Sequence, residues 1–179
     1  MAGIGFSSFA GQNWLITPTA LSVNQSKPAN IADQMWFIQF SGVGILDLKG
    51  NNANDWRREV LVIFPDVGAP LKFAISRYGI QVPTSTDGNV TPSIVVDQIV
   101  PYAAVSSAFE KSTGVDFGFA VDAWRPNPFF SGTDVHGQHV GNVFTGIDVD
   151  VAIRNSNAIM HRVSYQITII GKIAFFVTR

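Results

Sequence analysis

The chain has 179 residues, the length of one domain with a substantial core. Lys and Arg number 12 against 13 Asp and Glu, so the net charge of −1 leaves no positive surplus for nucleic-acid binding, which we therefore exclude. Charged residues make up only 14% of the chain and hydrophobic residues 46%, which predicts a weakly charged surface that favours self-association or docking.

The sequence contains no cysteine, which excludes disulfides, thiolate metal ligands and cysteine nucleophiles. The N-terminus lacks the basic segment and continuous apolar segment of a signal peptide. No stretch reaches the roughly 18 apolar residues that a spanning helix needs. We therefore expect a chain made as a soluble protein, cytosolic or released without a classical signal, and the sequence indicates no particular compartment.

Residues 1–12 are rich in Gly, Ser and Phe, show little periodicity, and predict an N-terminal arm. The remainder, 13–179, is predicted to be a single domain. Because Ile4, Phe6 and Phe9 are too apolar for a solvated tail, we expect the arm either to lie across its own domain or to dock on a neighbouring copy. These three residues are the candidates for self-association through the arm.

The first strand predicted after the arm covers residues 13–23 and contains Pro18, which restricts it to a sheet edge or divides it into two pieces. Residues 35–48 carry a second strand signal, interrupted by Gly42 and Gly44. Glycines inside a strand indicate a bulge or a sharp bend, as where one strand passes between two sheets.

The middle of the chain alternates strand signals with turn residues. Residues 57–64 and 71–77 are predicted strands, the second because apolar and polar positions alternate. After a polar loop at 83–92, residues 93–100 form a further predicted strand. The only predicted helical turn covers 102–111, where alanines accompany Glu and Lys before a Ser-Thr-Gly sequence.

The C-terminal third carries the longest β pattern. A strand is predicted at 115–124 and a long loop at 125–142. In 159–179 the odd positions are mostly apolar and many even ones polar, a period of two typical of a long strand with one buried face. Residues 143–151 alternate in the same way, and the turn residues 155–157 between the two runs predict a hairpin.

The elements together predict an all-β protein. About seven to nine strands at short spacing, with at most one short helix, indicate a single antiparallel β-sandwich. A jelly-roll-like sandwich is favoured over a closed barrel, because long strands bent at glycines can serve both sheets.

One cluster has residue types that bind metals at close spacing. Asp134, His136 and His139 offer three ligands in one loop, which suits a zinc-type hydrolytic centre with an open coordination position. The competing interpretation is a solvated loop with local hydrogen bonds, because the spacing matches no known metal motif.

Two pairs of aspartates alternate with apolar residues and each pair therefore shares one strand face. Such pairs can act in acid–base chemistry or bind calcium, but alternation also places polar residues on any solvated strand face. The residues are Asp116, Asp122, Asp148 and Asp150.

The segment 124–130 is the strongest ligand-binding candidate. Its two prolines stiffen the chain, and its aromatic and Arg side chains are typical of interface hot spots and of sugar or headgroup contacts. The alternative is that its phenylalanines close one end of the sandwich. The candidate contact residues are Trp124, Arg125, Phe129 and Phe130.

Three functions follow from these observations. The leading hypothesis is a non-enzymatic structural or assembly subunit of the virion or particle type that forms homo-oligomers and needs no cofactor. The second is a lectin-like or toxin-like module that binds a glycan or membrane surface through the 124–130 segment. The third is a metal-dependent enzyme using the 134–139 loop.

Overall fold

The computed structural model describes residues 4–5, 8–18, 34–51, 55–110, 118–126, 130–155 and 157–178. This part of the chain forms ten strands and one helix. In chain order they are β1 (Ile4–Gly5), β2 (Ser8–Pro18), β3 (Trp36–Lys49), β4 (Trp56–Ile63), α1 (Gly68–Tyr78), β5 (Asn89–Glu110), β6 (Gly118–Pro126), β7 (Phe130–Thr133), β8 (His139–Val143), β9 (Ile147–Arg154) and β10 (Ala158–Thr178).

The strands form two sheets that pack against each other. One sheet has the order β1-β4-β9-β6 and the other β2-β3-β10-β5-β8-β7. All pairings between these strands are antiparallel except the short parallel contact of β1 with β4. The predicted all-β sandwich with one short helix is confirmed, and the ten strands include the two-residue β1. A jelly-roll connectivity stays a prediction.

Strand β10 is the centre of the six-stranded sheet. It pairs with β3 from Ile159 to Gly171 and with β5 along its full length. Its alternate side chains are buried between the sheets, as the period of two predicts. The alternating buried side chains are Val163, Tyr165, Ile167, Ile169, Ile173 and Phe175, and Ala158, Ile159, Met160 and Phe176 are buried near the two ends.

The core is one apolar cluster that receives side chains from both sheets and the helix. Completely buried members include Leu61 and Val149 from the four-stranded sheet, Ile38 and Ile169 from the six-stranded sheet, and Leu71 from α1. Because all of them are in the same cluster, the two sheets share one hydrophobic core.

The predicted hairpin between residues 143–151 and 159–179 is wrong. Strand β9 pairs with β4 and β6, whereas β10 pairs with β3 and β5, so the connection crosses from one sheet to the other. The predicted turn is present, with Asn155 at a φ of 85° and its Oδ1 accepting a hydrogen bond from the Asn157 N–H at 2.9 Å. Alternation identifies each strand but does not determine whether two strands pair or stack.

The predicted strand at 71–77 is also wrong, because these residues lie in α1. The buried positions are Pro70, Leu71 and Ala74, at helical spacing, while Phe73 is 47% exposed. Gly79 ends the helix with a φ of 64°, and the Ile80 N–H donates to the Ile75 carbonyl at 3.0 Å.

No helix in the described part of the chain has the length and apolar character needed to cross a membrane.

The helical turn predicted at 102–111 is wrong as well. Residues up to Glu110 belong to β5, which starts at Asn89 inside the predicted 83–92 loop. Strand β5 follows β10 almost residue by residue, from Thr178 opposite Asn89 to Ala158 opposite Glu110. The free energy of this long-range pairing outweighs the weak helical preference of a few alanines.

Strand β3 does not bend between sheets at its glycines. It runs unbroken from Trp36 to Lys49 in the six-stranded sheet. Gly42 is opposite Tyr165, and a Cβ at this position would lie 2.7 Å from the Tyr165 hydroxyl oxygen. The glycine therefore leaves room for a buried aromatic ring on the neighbouring strand.

The N-terminal residues pair with both sheets of their own chain. Ile4 is the backbone partner of Leu61, and Phe9 in β2 is the partner of Gly44. Phe6 lies outside the described residues. Strand β2 is an edge strand that ends at Pro18, as the proline predicts. The boundary between an arm and a domain at residue 12 stays a prediction, and in this structure it lies within β2.

Candidate functional site

The outer face of the six-stranded sheet, the side turned away from the core, is a broad surface that the register defines. Side chains on it form rows across β2, β3, β10 and β5, because directly opposed residues share a face. The rows are Asn13–Ser41–Gln166–Tyr102, Leu15–Gln39–Thr168–Val100 and Thr17–Phe37–Ile170–Gln98.

None of the residues in these rows is charged. Among the large apolar side chains of the rows, Val100 is 67% exposed, Tyr102 53% and Leu15 47%. The other members are mainly short polar or half-buried apolar side chains. A neighbouring row, Val43–Ser164–Ala104, is uncharged too. Charged side chains border the rows: Asp97 precedes Gln98 on β5 at a register shift, and Asp47, Lys49, Arg162 and Lys172 lie farther along β3 and β10. The rows themselves are therefore amphipathic and uncharged.

The outer face of the four-stranded sheet has the opposite character. Strand β9 places Asp148, Asp150 and Arg154 on this side, and β4 adds Arg58. The Arg154 guanidinium lies 5.5 Å from the ring centre of Trp56, a cation–π distance. The two outer surfaces of the sandwich thus differ sharply in charge.

Arg125, the described side chain of the predicted 124–130 ligand segment, is held by this charged surface. Its Nη1 donates to Asp150 Oδ2 at 2.5 Å, and its Nε lies 3.9 Å from Asp148 Oδ2. The hydrogen bond to Asp150 and then the negative charges raise the pKa of Arg125 above its ordinary value. Its guanidinium therefore contacts its own sheet.

The other members of that segment are separated by the chain path. Trp124 lies in β6, where it is the backbone partner of Val149 in β9. Phe130 begins β7 in the other sheet. Phe129 lies outside the described residues. The segment thus leads from the four-stranded to the six-stranded sheet, and its role in ligand binding stays a prediction.

Asp134 stabilises the turn between β7 and β8. Its Oδ1 accepts hydrogen bonds from the backbone N–H groups of His136 at 2.9 Å and Gln138 at 2.8 Å. Among the residues that the structure describes, no group of three His, Asp or Glu side chains is arranged to hold a metal ion. His136 and His139 are exposed, and the use of this loop as a metal centre stays a prediction.

The paired aspartates also have identifiable surroundings. Asp148 and Asp150 share the outer face of β9 as alternation predicts, and both face Arg125. Asp122 lies at the register shift of β6, and Asp116 is outside the described residues. Asp148 and Asp150 thus form an ion-pair network with Arg125 on the strand surface, and this network accounts for the two carboxylates on one face.

Sequence reasoning missed the residues of the uncharged outer face. Leu15 belongs to β2, whereas Val100 and Tyr102 belong to β5, far along the sequence, and the sequence pattern predicts a helical turn at Tyr102. The available signal was the absence of Lys, Arg, Asp and Glu from 8–18 and from 98–109. Strands with one solvated face usually carry charges, so two uncharged strands indicate a surface that is not left in water.

Comparison of the chain with protein-family models, with characterised proteins and with solved structures finds no match. Its function is therefore inferred from its own residues.

Proposed function

We propose that the protein is a non-enzymatic structural subunit, of the kind that builds virions or other particles, and that copies of it associate through the outer face of the six-stranded sheet. The observation that carries this proposal is the set of uncharged rows across β2, β3, β10 and β5. The low overall charge of 14% supports it, because weakly charged chains repel one another little.

A second copy of the chain suits this face better than a charged partner does. Two identical surfaces placed together bring no like charges into opposition when neither surface carries a charge. The Ser, Thr, Asn and Gln side chains in the rows contain both donors and acceptors, so they can hydrogen-bond to the same residue types on another copy. Leu15, Val100 and Tyr102 supply apolar area that self-association removes from water.

The size of the face is sufficient for a specific contact. Each of the four rows occupies two residues of strand, about 6.8 Å, so together they cover about 27 Å along the strands, and four strands at about 4.8 Å each cover about 19 Å across them. The resulting area of about 500 Å² per copy gives about 1,000 Å² for a pair, near the lower limit for a specific interface. Contacts of this size are suited to an assembly in which each subunit makes several of them.

The first test replaces two apolar residues of one row with glutamate, as Leu15→Glu plus Val100→Glu. Both side chains are largely exposed, at 47% and 67%, so the monomer fold should tolerate the change. Burying two unpaired charges should raise the dissociation constant at least about 100-fold, equivalent to roughly 3 kcal/mol. Light scattering over a range of protein concentrations should show an oligomer for the natural chain and a monomer for the variant.

The matched control is Phe64→Glu plus Val82→Glu, which alters two apolar residues of similar exposure, 55% and 47%, away from the face. This control should keep the mass of the natural chain, and far-UV circular dichroism should be unchanged in both variants. A natural chain that remains monomeric at millimolar concentration, or a face variant that keeps its oligomer mass, would contradict the proposal.

A further inference from the structure

A cleft of about 310 Å³ lies at the end of β10, beside the turn between β7 and β8. Its volume is at the lower end of the range for small-molecule sites, about 300–1,000 Å³. Lys172 and Val95 are opposite each other in the register of β10 and β5, and both line the cleft. Val140, Pro83 and the turn residues contribute further walls, so the lining combines apolar residues with Lys172 and other polar residues.

Backbone hydrogen bonds hold the cleft walls in place. Asp134 forms an isolated antiparallel bridge with Phe176, and the Val135 N–H donates to the Phe175 carbonyl at 3.0 Å. The other end of the β7–β8 pair is joined to β5 by the Phe144 N–H, which donates to the Ile94 carbonyl at 2.8 Å. The turn is therefore tied to β10 and the far end of the β7–β8 pair to β5, so the cleft is already formed without a ligand.

Lys172 and Asp134 are the residues of opposite charge in the cleft lining. No carboxylate among the described residues forms an ion pair with Lys172. Asp134, the acidic residue of the lining, directs its Oδ1 to the N–H groups of His136 and Gln138. His136 and Gln138 also belong to the cleft lining, and both residue types carry side-chain hydrogen-bond donors.

The geometry points to a binding site for a small amphiphilic anion, an organic carboxylate or phosphate monoester attached to a compact apolar group. The anionic group would bind Lys172 and the adjacent donors, while the apolar group would contact Val140 and Pro83. This assignment is independent of self-association, because the cleft is formed within one copy and lies beyond the rows of the outer face.

The test titrates ¹⁵N-labelled full-length protein with benzoate, with phenyl phosphate and, as a neutral analogue, with benzyl alcohol. The anions should shift the amide signals of 134–138 and 172–175, and benzyl alcohol should not. Lys172→Gln should weaken binding about tenfold, because it removes one charge-assisted interaction. Tighter binding of phenyl phosphate than of benzoate would identify a phosphate monoester as the ligand class. Equal binding of the two anions would indicate that a carboxylate is sufficient.

The control variant is Lys72→Gln, which removes an exposed lysine from α1, away from the cleft. It should leave the affinity unchanged, so a general effect of net charge can be recognised. Absence of shifts up to several millimolar anion, equal binding of the neutral analogue, or an unchanged affinity in Lys172→Gln would overturn the inference. Unchanged spectra outside the cleft would show that Lys172→Gln remains folded.

Discussion

Gly50 lies where the end of β3 meets the crossover between the two sheets. Its N–H donates to the Ala158 carbonyl at 3.2 Å, and a Cβ built on it would lie 2.1 Å from the Asn155 carbonyl oxygen. The obstructing atom belongs to the backbone, so it cannot move away as the end of a flexible side chain would. Only glycine therefore allows the two segments to approach this closely.

Gly50→Ala should accordingly lower the free energy of unfolding by about 1–3 kcal/mol, the typical cost of forcing atoms into a packed site. Urea denaturation followed by circular dichroism measures this change. Gly141→Ala is the matched control, because a Cβ there would meet nothing within 4 Å. The control should change stability by less than about 0.5 kcal/mol. Equal stability of both variants with the natural chain would show that the contact is easily relieved.

Residue-scale features divide into those visible in the sequence and those that are not. Pro18 at a sheet edge and the Asn155–Asn157 turn follow from local backbone restrictions, and both were predicted. The role of Gly42, which makes room for Tyr165 on another strand, depends on a residue more than a hundred positions away. The sequence marks such a glycine as unusual but does not identify its neighbour.

At the scale of elements, α1 shows how a short pattern can mislead. Residues 71–77 alternate apolar and polar side chains, but the sequence also contains signals for both ends of a helix. Pro70 fits the first turn, and Gly79 follows the last turn. The helix fills the region where Phe73 meets Trp14 of β2 at 5.1 Å between ring centres, and Tyr78 meets Trp36 of β3 at the same distance. It thus packs beside the edge of the six-stranded sheet.

Leu71 is completely buried in the core, so Leu71→Ala should lower the free energy of unfolding by about 2–5 kcal/mol through lost burial and a residual cavity. Lys72→Ala, one position along the same helix, is exposed and should have an effect below about 0.5 kcal/mol. Thermal denaturation of the two variants measures both. A strand at these positions would place Phe73 on the same buried face as Leu71, whereas in α1 Phe73 is 47% exposed, so Phe73→Ala should cost less than Leu71→Ala. An equal loss at Leu71 and Phe73 would contradict the helix.

At the scale of the whole molecule, the shared core predicts cooperative unfolding. Side chains from both sheets and from α1 belong to one apolar cluster. Amide hydrogen exchange should therefore give the same opening free energy, that of global unfolding, for Ile63 and Val149 in one sheet and for Ile38 and Ile169 in the other. A clearly lower value for either sheet would show that the sheets unfold separately, against the prediction of a single domain at 13–179.

The whole molecule also separates charge between its two outer surfaces. The four-stranded sheet presents the Arg125–Asp150 ion pair and Arg154, and the six-stranded sheet presents uncharged rows. Under the proposed association, the uncharged surface would be buried between copies and the charged surface would remain in water. Neither surface is a continuous stretch of sequence.

The sequence by itself determined the fold class, the length of β10 and the low charge of the chain, because alternation and composition are local properties that survive in any arrangement of the strands. Only the tertiary structure decided that β9 and β10 belong to different sheets, that residues 102–110 are a strand, and that the rows of the outer face meet. These features depend on which distant segments pair, and the free energy of pairing comes from contacts that no local pattern contains.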